Sequence, residues 1–271
     1  MAAEERLSVE HLHCADYELE SDRMNSRLHM CDALAGNPAR FCASISVVPT
    51  LDPNSGLPQF SSPSEEYRSG TLTFVKSGER SFGITCWHVI ETLRRSNSES
   101  GKQHLLRTML NGFNVVLDRF IQPDSPFGER RPDIAIRELS PDFAKALGKE
   151  EIDLDNAAEP HDIRIGLAVG FPENLKRRLG EDDGYRVVMP QCEVTCELTH
   201  LSDRRFTLFG EVQSEAVKNR EFSGMSGGPI FWSSEDQFGI YGIVYEGGVL
   251  PADEGSVAVV VHGEIATPDV I

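Results

Sequence analysis

Hydrophobic and polar positions alternate over short stretches along most of the chain, a pattern typical of half-buried strands. Residues 70–75 alternate in this way, a turn with a glycine follows at 76–79, and a further stretch spans 81–85. Two such stretches joined by a short turn predict a β-hairpin. Stretches of similar texture predict further strands at 41–48, 113–120, 133–136, 163–171, 187–198, 206–213, 238–245 and 257–261.

Helical patterns are few in this part of the chain. A short helical turn is predicted at 89–93, directly after the strand 81–85, and the acidic stretch 142–155 is predicted to be partly helical. Many short strands with frequent turns favour an all-β barrel or sandwich. The halves on either side of about residue 160 could each form a small barrel.

Residues 1–40 have a different texture from the rest. Apolar residues stand among many charges with helix-like spacing in places, and Ala-Gly-Asn-Pro at 35–38 is typical of a helix end. We predict a partly helical N-terminal extension over 1–40 and a main domain over 41–271. The extension would pack on the domain or act as an interaction arm.

Charge excludes some classes of partner. The chain has 271 residues with a formal net charge of −17, from 43 acidic and 26 basic residues. This balance opposes binding to nucleic acid or to anionic membranes, since both need clustered Lys and Arg. The acidic start lacks the apolar segment of a secretory signal, and the chain has no apolar run of about 18–20 residues that could span a bilayer.

The six cysteines are scattered, which favours free thiols in a reducing cytoplasm, although an even number still permits disulfides. Two groupings resemble metal ligands only superficially. The pair His11 and His13 has no second ligand pair at a suitable spacing. Cys192, Cys196 and His200 lie on a predicted strand, where four residues span about 13 Å. We expect no metal and no cofactor.

A glycine-rich segment over 222–230 surrounds Ser226 and suits a tight turn that presents a hydroxyl group, with backbone N–H groups free to bind an anion. Two other segments supply His88 and Asp133. A serine hydroxyl is a weak nucleophile until a base removes its proton. His88 would be that base, and Asp133 would hold the imidazole in the required tautomer.

These three segments resemble those of the chymotrypsin-like (trypsin-like) serine proteases, particularly intracellular bacterial members without disulfides. The intervals also resemble that family's, with 45 residues from His88 to Asp133 and 93 from Asp133 to Ser226. The resemblance covers roughly residues 41–265. The matching motifs are Thr85-Cys86-Trp87-His88, Asp133-Ile134-Ala135-Ile136 and Gly224-Met225-Ser226-Gly227-Gly228-Pro229.

The resemblance implies a double barrel of six-stranded type and a serine endopeptidase that works through an acyl-enzyme. It implies an oxyanion hole made by the backbone N–H groups of Gly224 and Ser226. It places Arg220 near the base of a substrate pocket, with Tyr245, Glu246 and Gly247 on the facing strand. Arg220 would favour acidic substrate side chains, whereas Glu246 would favour basic ones.

The chain departs from the family pattern at several positions. Cys86 and Trp87 stand where small residues are usual. Met225 replaces the aspartate through which secreted members are activated, so zymogen cleavage is not expected. Tyr245 occupies a place where a serine often supports the catalytic acid.

Other functions fit parts of the sequence. The segment around Ser226 also matches the nucleophile elbow of an α/β-hydrolase esterase, although that fold needs its acid and histidine after the serine. A catalytically silent protease fold that binds a partner protein is the non-enzyme alternative. For the protease, we expect a cytoplasmic enzyme with one or a few protein substrates and possible control by a regulatory protein. A bacterial stress or antiphage pathway is suggested by family analogy alone.

Overall fold

The alternating stretches form strands of two large, mainly antiparallel sheets in the computed structural model. The structure describes residues 10–13, 34, 36–49, 68–101, 103–110, 113–124, 131–155, 165–175, 177–179, 186–201, 204–213, 221–233, 237–252 and 256–266. The strands within these ranges are β1 (Glu10–His13), β2 (Cys42–Pro49), β3 (Arg68–Ser77), β4 (Arg80–Thr85), β5 (His104–Leu110), β6 (Phe113–Leu117), β7 (Ala135–Leu139), β8 (Ile152–Asp153), β9 (Ile165–Gly170), β10 (Arg177–Leu179), β11 (Arg186–Val188), β12 (Cys192–Leu201), β13 (Arg205–Gln213), β14 (Pro229–Ser233), β15 (Phe238–Pro251) and β16 (Ser256–Ile265).

Helices make up a small part of the described residues. The longer one is α1 (Trp87–Ser100), and α2 (Phe143–Ala146) is a single turn. Two short 3₁₀ helices cover Pro38–Phe41 and Glu173–Leu175. None of the helices in the described ranges is both long enough and apolar enough to cross a membrane.

The first sheet forms an open barrel with strand order β6-β5-β2-β3-β4-β7, and β8 pairs with β3. An isolated bridge joins Ile121, after β6, to Ile136 in β7, with N–O distances of 2.9 and 2.8 Å. This bridge draws the two ends of the open barrel together. The predicted hairpin is confirmed, since β3 and β4 pair antiparallel from Thr73 opposite Ile84 to Ser77 opposite Arg80.

The second sheet closes into a six-stranded barrel. Its order is β12-β13-β16-β15-β14-β9, and β9 also pairs with β12. Closure gives each of these six strands a neighbouring strand on both sides. The all-β double barrel predicted from the sequence is therefore confirmed, and the mainly antiparallel sheets do not fit the parallel central sheet that the α/β-hydrolase alternative requires.

Several elements differ from the sequence predictions. Strands β5 and β14 were not predicted, and α1 continues well beyond the predicted turn at 89–93. β15 does not end at Gly247 and Gly248, because both glycines pair with β16, opposite Val261 and Val260. The ladder hydrogen bonds to β16 offset the low strand propensity of glycine.

The N-terminal extension is described only in part. Residues Glu10–His13 form strand β1, which pairs in parallel with β12, from Glu10 opposite Cys192 to His13 opposite Thr195. This segment is therefore extended, where the apolar spacing suggested helix. Most of the remaining predicted helical stretch lies outside the described residues. The domain limits 1–40 and 41–271 stay predictions.

The cysteines of the described ranges support the prediction of free thiols. Cys42, Cys86, Cys192 and Cys196 are buried and form no disulfide. Burial raises the pKa of the Cys42 thiol to about 12, so it stays protonated and behaves as a small apolar side chain.

Aromatic rings join the core of one barrel to the other. Phe41 precedes β2 of the first barrel, and its ring lies 5.7 Å from that of Phe231 in β14 and 5.6 Å from that of Phe238 in β15. Phe41 and Phe231 are buried. The hydrophobic core therefore runs across the junction, which fixes the barrels against each other.

We predict that Phe41→Ala lowers the free energy of unfolding by about 3–5 kcal/mol, because it leaves a cavity at this junction. Urea unfolding measures the loss. Phe143→Ala is the control, since Phe143 is only partly buried and packs on Phe74 within one barrel. An equal or smaller loss in Phe41→Ala would contradict a special role for the junction.

Candidate active site

Asp133 binds His88 at two points. The Asp133 Oδ2 atom lies 2.7 Å from His88 Nδ1, and the Oδ1 atom accepts the backbone N–H of His88 at 2.9 Å. His88 is the second residue of α1, where backbone N–H groups lack acceptors within the helix. Cys86, at the N-cap position, makes no side-chain cap hydrogen bond. The Asp133 carboxylate thus caps the helix and orients the imidazole at the same time.

This contact sets the chemistry of the imidazole. A carboxylate only accepts hydrogen bonds, so Nδ1 of neutral His88 carries the proton and Nε2 is left with a free lone pair. The His88 side chain is 43% exposed and that of Asp133 is 18% exposed. The arrangement suits a general base whose inner nitrogen is fixed and whose ring is accessible to solvent.

Two successive tight turns form the loop with Ser226, which lies in the second of them. The Met225 N–H donates to the Phe222 carbonyl at 3.0 Å, and the Gly228 N–H donates to the Met225 carbonyl at 2.8 Å. Gly227 has a φ of +89°, and a side chain there would collide with Thr71 and Thr85. The glycines predicted to permit a tight turn are therefore needed for both backbone conformation and space.

The loop with Ser226 leads into the second barrel but is bound to β3 of the first. The Ser226 carbonyl accepts the Thr71 N–H at 2.8 Å, and the Gly227 carbonyl accepts the Thr73 hydroxyl at 2.7 Å. A Cβ atom on Gly70 would lie 3.1 Å from the Val89 side chain and 3.2 Å from the Ser226 carbonyl. The absence of a side chain at Gly70 therefore leaves room for both the backbone of Ser226 and the start of α1.

The Ser226 hydroxyl donates to the Tyr245 carbonyl at 3.3 Å and does not hydrogen-bond to the His88 imidazole. The backbone N–H groups of Gly224 and Ser226 have no acceptor among the described residues. Two donors beside the serine are thus open to an anion, as an oxyanion hole requires.

The residues predicted to bind substrate have separate environments. Glu246 is exposed on β15, and Gly247 packs against Phe222, where an added Cβ atom would lie 3.0 Å from the Phe222 side chain. Tyr245 lies at an irregularity of the β15–β16 pairing, between Val244 and Glu246. Arg220 lies outside the described residues.

The Tyr245 ring contacts two basic side chains. The Arg205 guanidinium lies 4.4 Å from the ring centroid, a cation–π distance, and the His262 imidazole stacks on the ring at 5.8 Å. Tyr245 therefore contributes its carbonyl to Ser226 and its ring to packing within the second barrel.

An ion pair that sequence reasoning missed lies behind Asp133. Arg205 and Glu264 face each other on β13 and β16, with Arg205 Nε 3.1 Å from Glu264 Oε2. Glu264 is 2% exposed, whereas the Arg205 side chain is 36% exposed. The Asp133 backbone lies near the Glu264 carboxyl and lowers its pKa. Nothing in the sequence separates these two charges from ordinary surface residues, because their partners are distant in the chain.

Burial raises the pKa of the Glu264 carboxyl, since desolvation outweighs the opposing effects of Arg205 and of the Asp133 backbone. The negative charge of Asp133 raises it further. Arg205 is therefore the main charge that keeps Glu264 ionised beside a second carboxylate.

Cys86 stands close to the His88–Asp133 pair. Its Sγ atom and the ligand atoms of His88 and Asp133 lie within 4.8 Å of one another, close enough to share one metal ion. The thiol is buried and donates to the Val244 carbonyl at 3.0 Å. Burial raises its pKa well above the usual value. In this structure the thiol thus serves as a buried hydrogen-bond donor.

Comparisons with known proteins give structural similarity only. No protein-family model matches the sequence, and no curated protein is significantly similar to it. Among solved structures, the serine protease of a human pathogenic astrovirus has a TM-score of 0.41 at 14% identity, over 90% of this chain and 98% of that chain. The thermostable serine protease AL20 from an extremophilic microorganism has a TM-score of 0.43 at 11% identity, over 82% and 91%. The protease Anisep from Arthrobacter nicotinovorans has 0.40 at 13%, over 81% and 89%.

We predict that acidification stabilises the wild-type protein relative to Glu264→Gln. A buried carboxyl with a raised pKa takes up its proton in the folded state first, so stability rises as the pH falls through the folded pKa. The gain is complete below the pKa of the unfolded chain. Glutamine cannot titrate and makes no such gain.

Urea unfolding of both proteins at a series of pH values measures this difference. Glu138→Gln is a control for a pKa shift of opposite sign, because the Arg80 hydrogen bond lowers the pKa of the exposed Glu138. A wild-type protein that loses stability relative to Glu264→Gln in acid would mean that the pair with Arg205 outweighs burial.

Proposed function

We propose that the protein is a serine endopeptidase whose triad is His88, Asp133 and Ser226. The observation that carries the proposal is the two-point contact of Asp133 with His88, on the ring and on the backbone. Support comes from the Ser226 loop, which is bound to the same barrel through Thr71.

In the proposed reaction, the Ser226 hydroxyl turns from the Tyr245 carbonyl to Nε2 of His88, which takes its proton as Oγ attacks the substrate carbonyl carbon. The N–H groups of Gly224 and Ser226 bind the oxyanion that forms. Loss of one such donor costs about 2.7–4 kcal/mol of transition-state stabilisation in a protease of known mechanism. His88 then protonates the leaving amine, and water releases the acyl group by the reverse sequence of proton transfers.

Asp133 would serve this reaction by holding the His88 tautomer and by stabilising the imidazolium. Glu264 of the second barrel lies next to Asp133, since the backbone and the charge of Asp133 both act on the pKa of its carboxyl. We therefore include Glu264 and Arg205 as supporting residues of the proposed site.

The proposal extends to biology by analogy. We expect a regulatory protease of the cytoplasm that cleaves one or a few proteins without metal or cofactor, in a bacterial stress or antiphage pathway. A protein partner could activate it. The net charge of −17 opposes a nucleic-acid partner.

A second candidate function is a silent protease fold that binds a partner protein in its cleft. One observation favours it: the Ser226 hydroxyl is bound to the Tyr245 carbonyl and not to His88. In that case the hydroxyl would stay in place when ligands bind, and Ser226→Ala would leave the biological activity unchanged.

We predict that a fluorophosphonate probe labels the wild-type protein, because His88 activates Ser226 and the two N–H groups bind the phosphonyl oxygen. Ser226→Ala and His88→Ala should show no labelling, while Asp133→Asn should label about 10⁴-fold more slowly, by analogy with the same substitution in a protease triad. In-gel fluorescence over a time course measures the rates.

The variants must retain the wild-type unfolding transition for the comparison to hold. Absence of labelling in a folded wild-type protein, alone and with candidate partners, would favour the silent scaffold. Labelling of Ser226→Ala would place the reactive residue elsewhere.

We also predict that a peptide library shows charge selectivity next to the cleaved bond. Glu246 is exposed on β15 one residue after Tyr245, so its carboxylate should favour basic side chains. Glu246→Gln should then weaken this preference, with Glu211→Gln on β13 as a control for net charge. A preference for acidic side chains would instead favour the role proposed for Arg220, and indifference to charge would contradict both.

A further inference from the structure

Glu173 connects three parts of the serine loop and its support. One carboxylate oxygen accepts the backbone N–H and, at 3.2 Å, the hydroxyl of Ser69. The other accepts the Ser223 hydroxyl at 3.1 Å. The backbone N–H of Glu173 also donates to the Ser223 carbonyl at 2.6 Å. Glu173 follows Pro172 at the start of a 3₁₀ helix, so it reaches the serine loop from a different part of the chain.

The Ser223 carbonyl belongs to the central peptide of a β-turn. The turn spans Phe222 to Met225 and is closed by the hydrogen bond between their backbone groups. Gly224, at the third position, has a φ of +95°. A positive φ at this position, ideally about +80°, distinguishes a type II turn from a type I turn.

The two turn types differ by a rotation of the central peptide, which here joins Ser223 to Gly224. In a trans peptide the carbonyl and the N–H point in opposite directions. A hydrogen bond that holds the Ser223 carbonyl on Glu173 therefore also fixes the direction of the Gly224 N–H, one of the two donors open to an anion.

Neighbouring contacts hold the next peptide as well. The Gly224 carbonyl accepts the Thr71 hydroxyl at 3.0 Å. A Cβ atom on Gly224 would lie 2.6 Å from the Phe171 carbonyl oxygen and 2.9 Å from the Glu173 nitrogen. Met225 is buried and apolar, so its side chain offers the loop no charged contact. The carboxylate that anchors this loop thus comes from outside the loop.

We propose that Glu173 is a positioning residue for the oxyanion hole. Glu173 holds the Ser223–Gly224 peptide so that the Gly224 N–H faces the substrate. Its backbone N–H fixes the peptide, and its carboxylate fixes Glu173 against Ser69 and Ser223. This inference rests on the proposed protease function.

Two substitutions separate the role of the Glu173 carboxylate from that of the Glu173 backbone N–H. Glu173→Ala removes the carboxylate and keeps the N–H. Glu173→Pro removes both and places a ring carbon against the Ser223 carbonyl, at a first helical position where proline is tolerated. Glu221→Ala is the matched control, since it removes an exposed acid from the same loop that has no hydrogen bond among the described residues.

The first measurement is fluorophosphonate labelling over a range of probe concentrations. We expect the maximal labelling rate of Glu173→Pro to fall about 10²–10³-fold, as for loss of one oxyanion donor, with the half-saturating concentration unchanged. Glu173→Ala should show a smaller fall of the same kind, and Glu221→Ala should match the wild type. A Glu173→Pro protein that labels like the wild type overturns the proposal.

The second measurement does not depend on activity. Crystal structures of the wild type and the variants should show the Ser223 carbonyl on Glu173 in the wild type, and a rotated peptide with a negative Gly224 φ in Glu173→Pro. An unrotated peptide overturns the positioning role, whereas a wild type with the intact contact but no labelling counts against the protease alone. If Glu173→Pro does not fold, Glu173→Ala decides, and an unchanged labelling rate overturns the proposal.

Discussion

The hydrogen bonds between β3 and the serine loop are the contacts on which the candidate site depends. His88 and Asp133 are held by the first barrel, whereas Ser226 enters from the second. Thr71 and Thr73 bridge the gap, since the backbone N–H of Thr71 and the two hydroxyls all donate to carbonyls of the loop. Both threonines are fully buried, so water does not compete for these bonds. The site therefore exists only while β3 and the loop stay together.

Two carboxylates of the candidate site act as acceptors for backbone N–H groups. Asp133 accepts from His88, and Glu173 accepts from Ser69. An ionised acceptor forms a stronger hydrogen bond than a neutral one and has room for several donors. Asp133 thus fixes the start of α1, and Glu173 ties the start of β3 to the Ser223 hydroxyl of the serine loop. Some of the acidic residues that give this protein its net negative charge therefore have a structural role.

How much of this structure could be predicted from the sequence depends on how far apart in the chain the interacting residues lie. The hairpin β3–β4 was predicted because alternation and a turn are local signals. β15 was predicted too short, because pairing with β16 carries the strand through Gly247 and Gly248. His88, Asp133 and Ser226 were found through short motifs around each of them. Glu173, Arg205 and Glu264 lie in segments without such a motif, and only the closure of the barrels brings them to the site.

Tyr245 connects the two halves of the proposed triad. Its carbonyl holds the Ser226 hydroxyl, while its ring packs on Arg205, which pairs with Glu264 behind Asp133. The β15–β16 register is irregular at this residue, between Val244 and Glu246. In the proposed reaction, a group that displaced the hydroxyl from this carbonyl would free it to rotate toward His88. Because both contacts belong to one residue, a shift of β15 at Tyr245 would act on the proposed nucleophile and on the residues behind the proposed catalytic acid together.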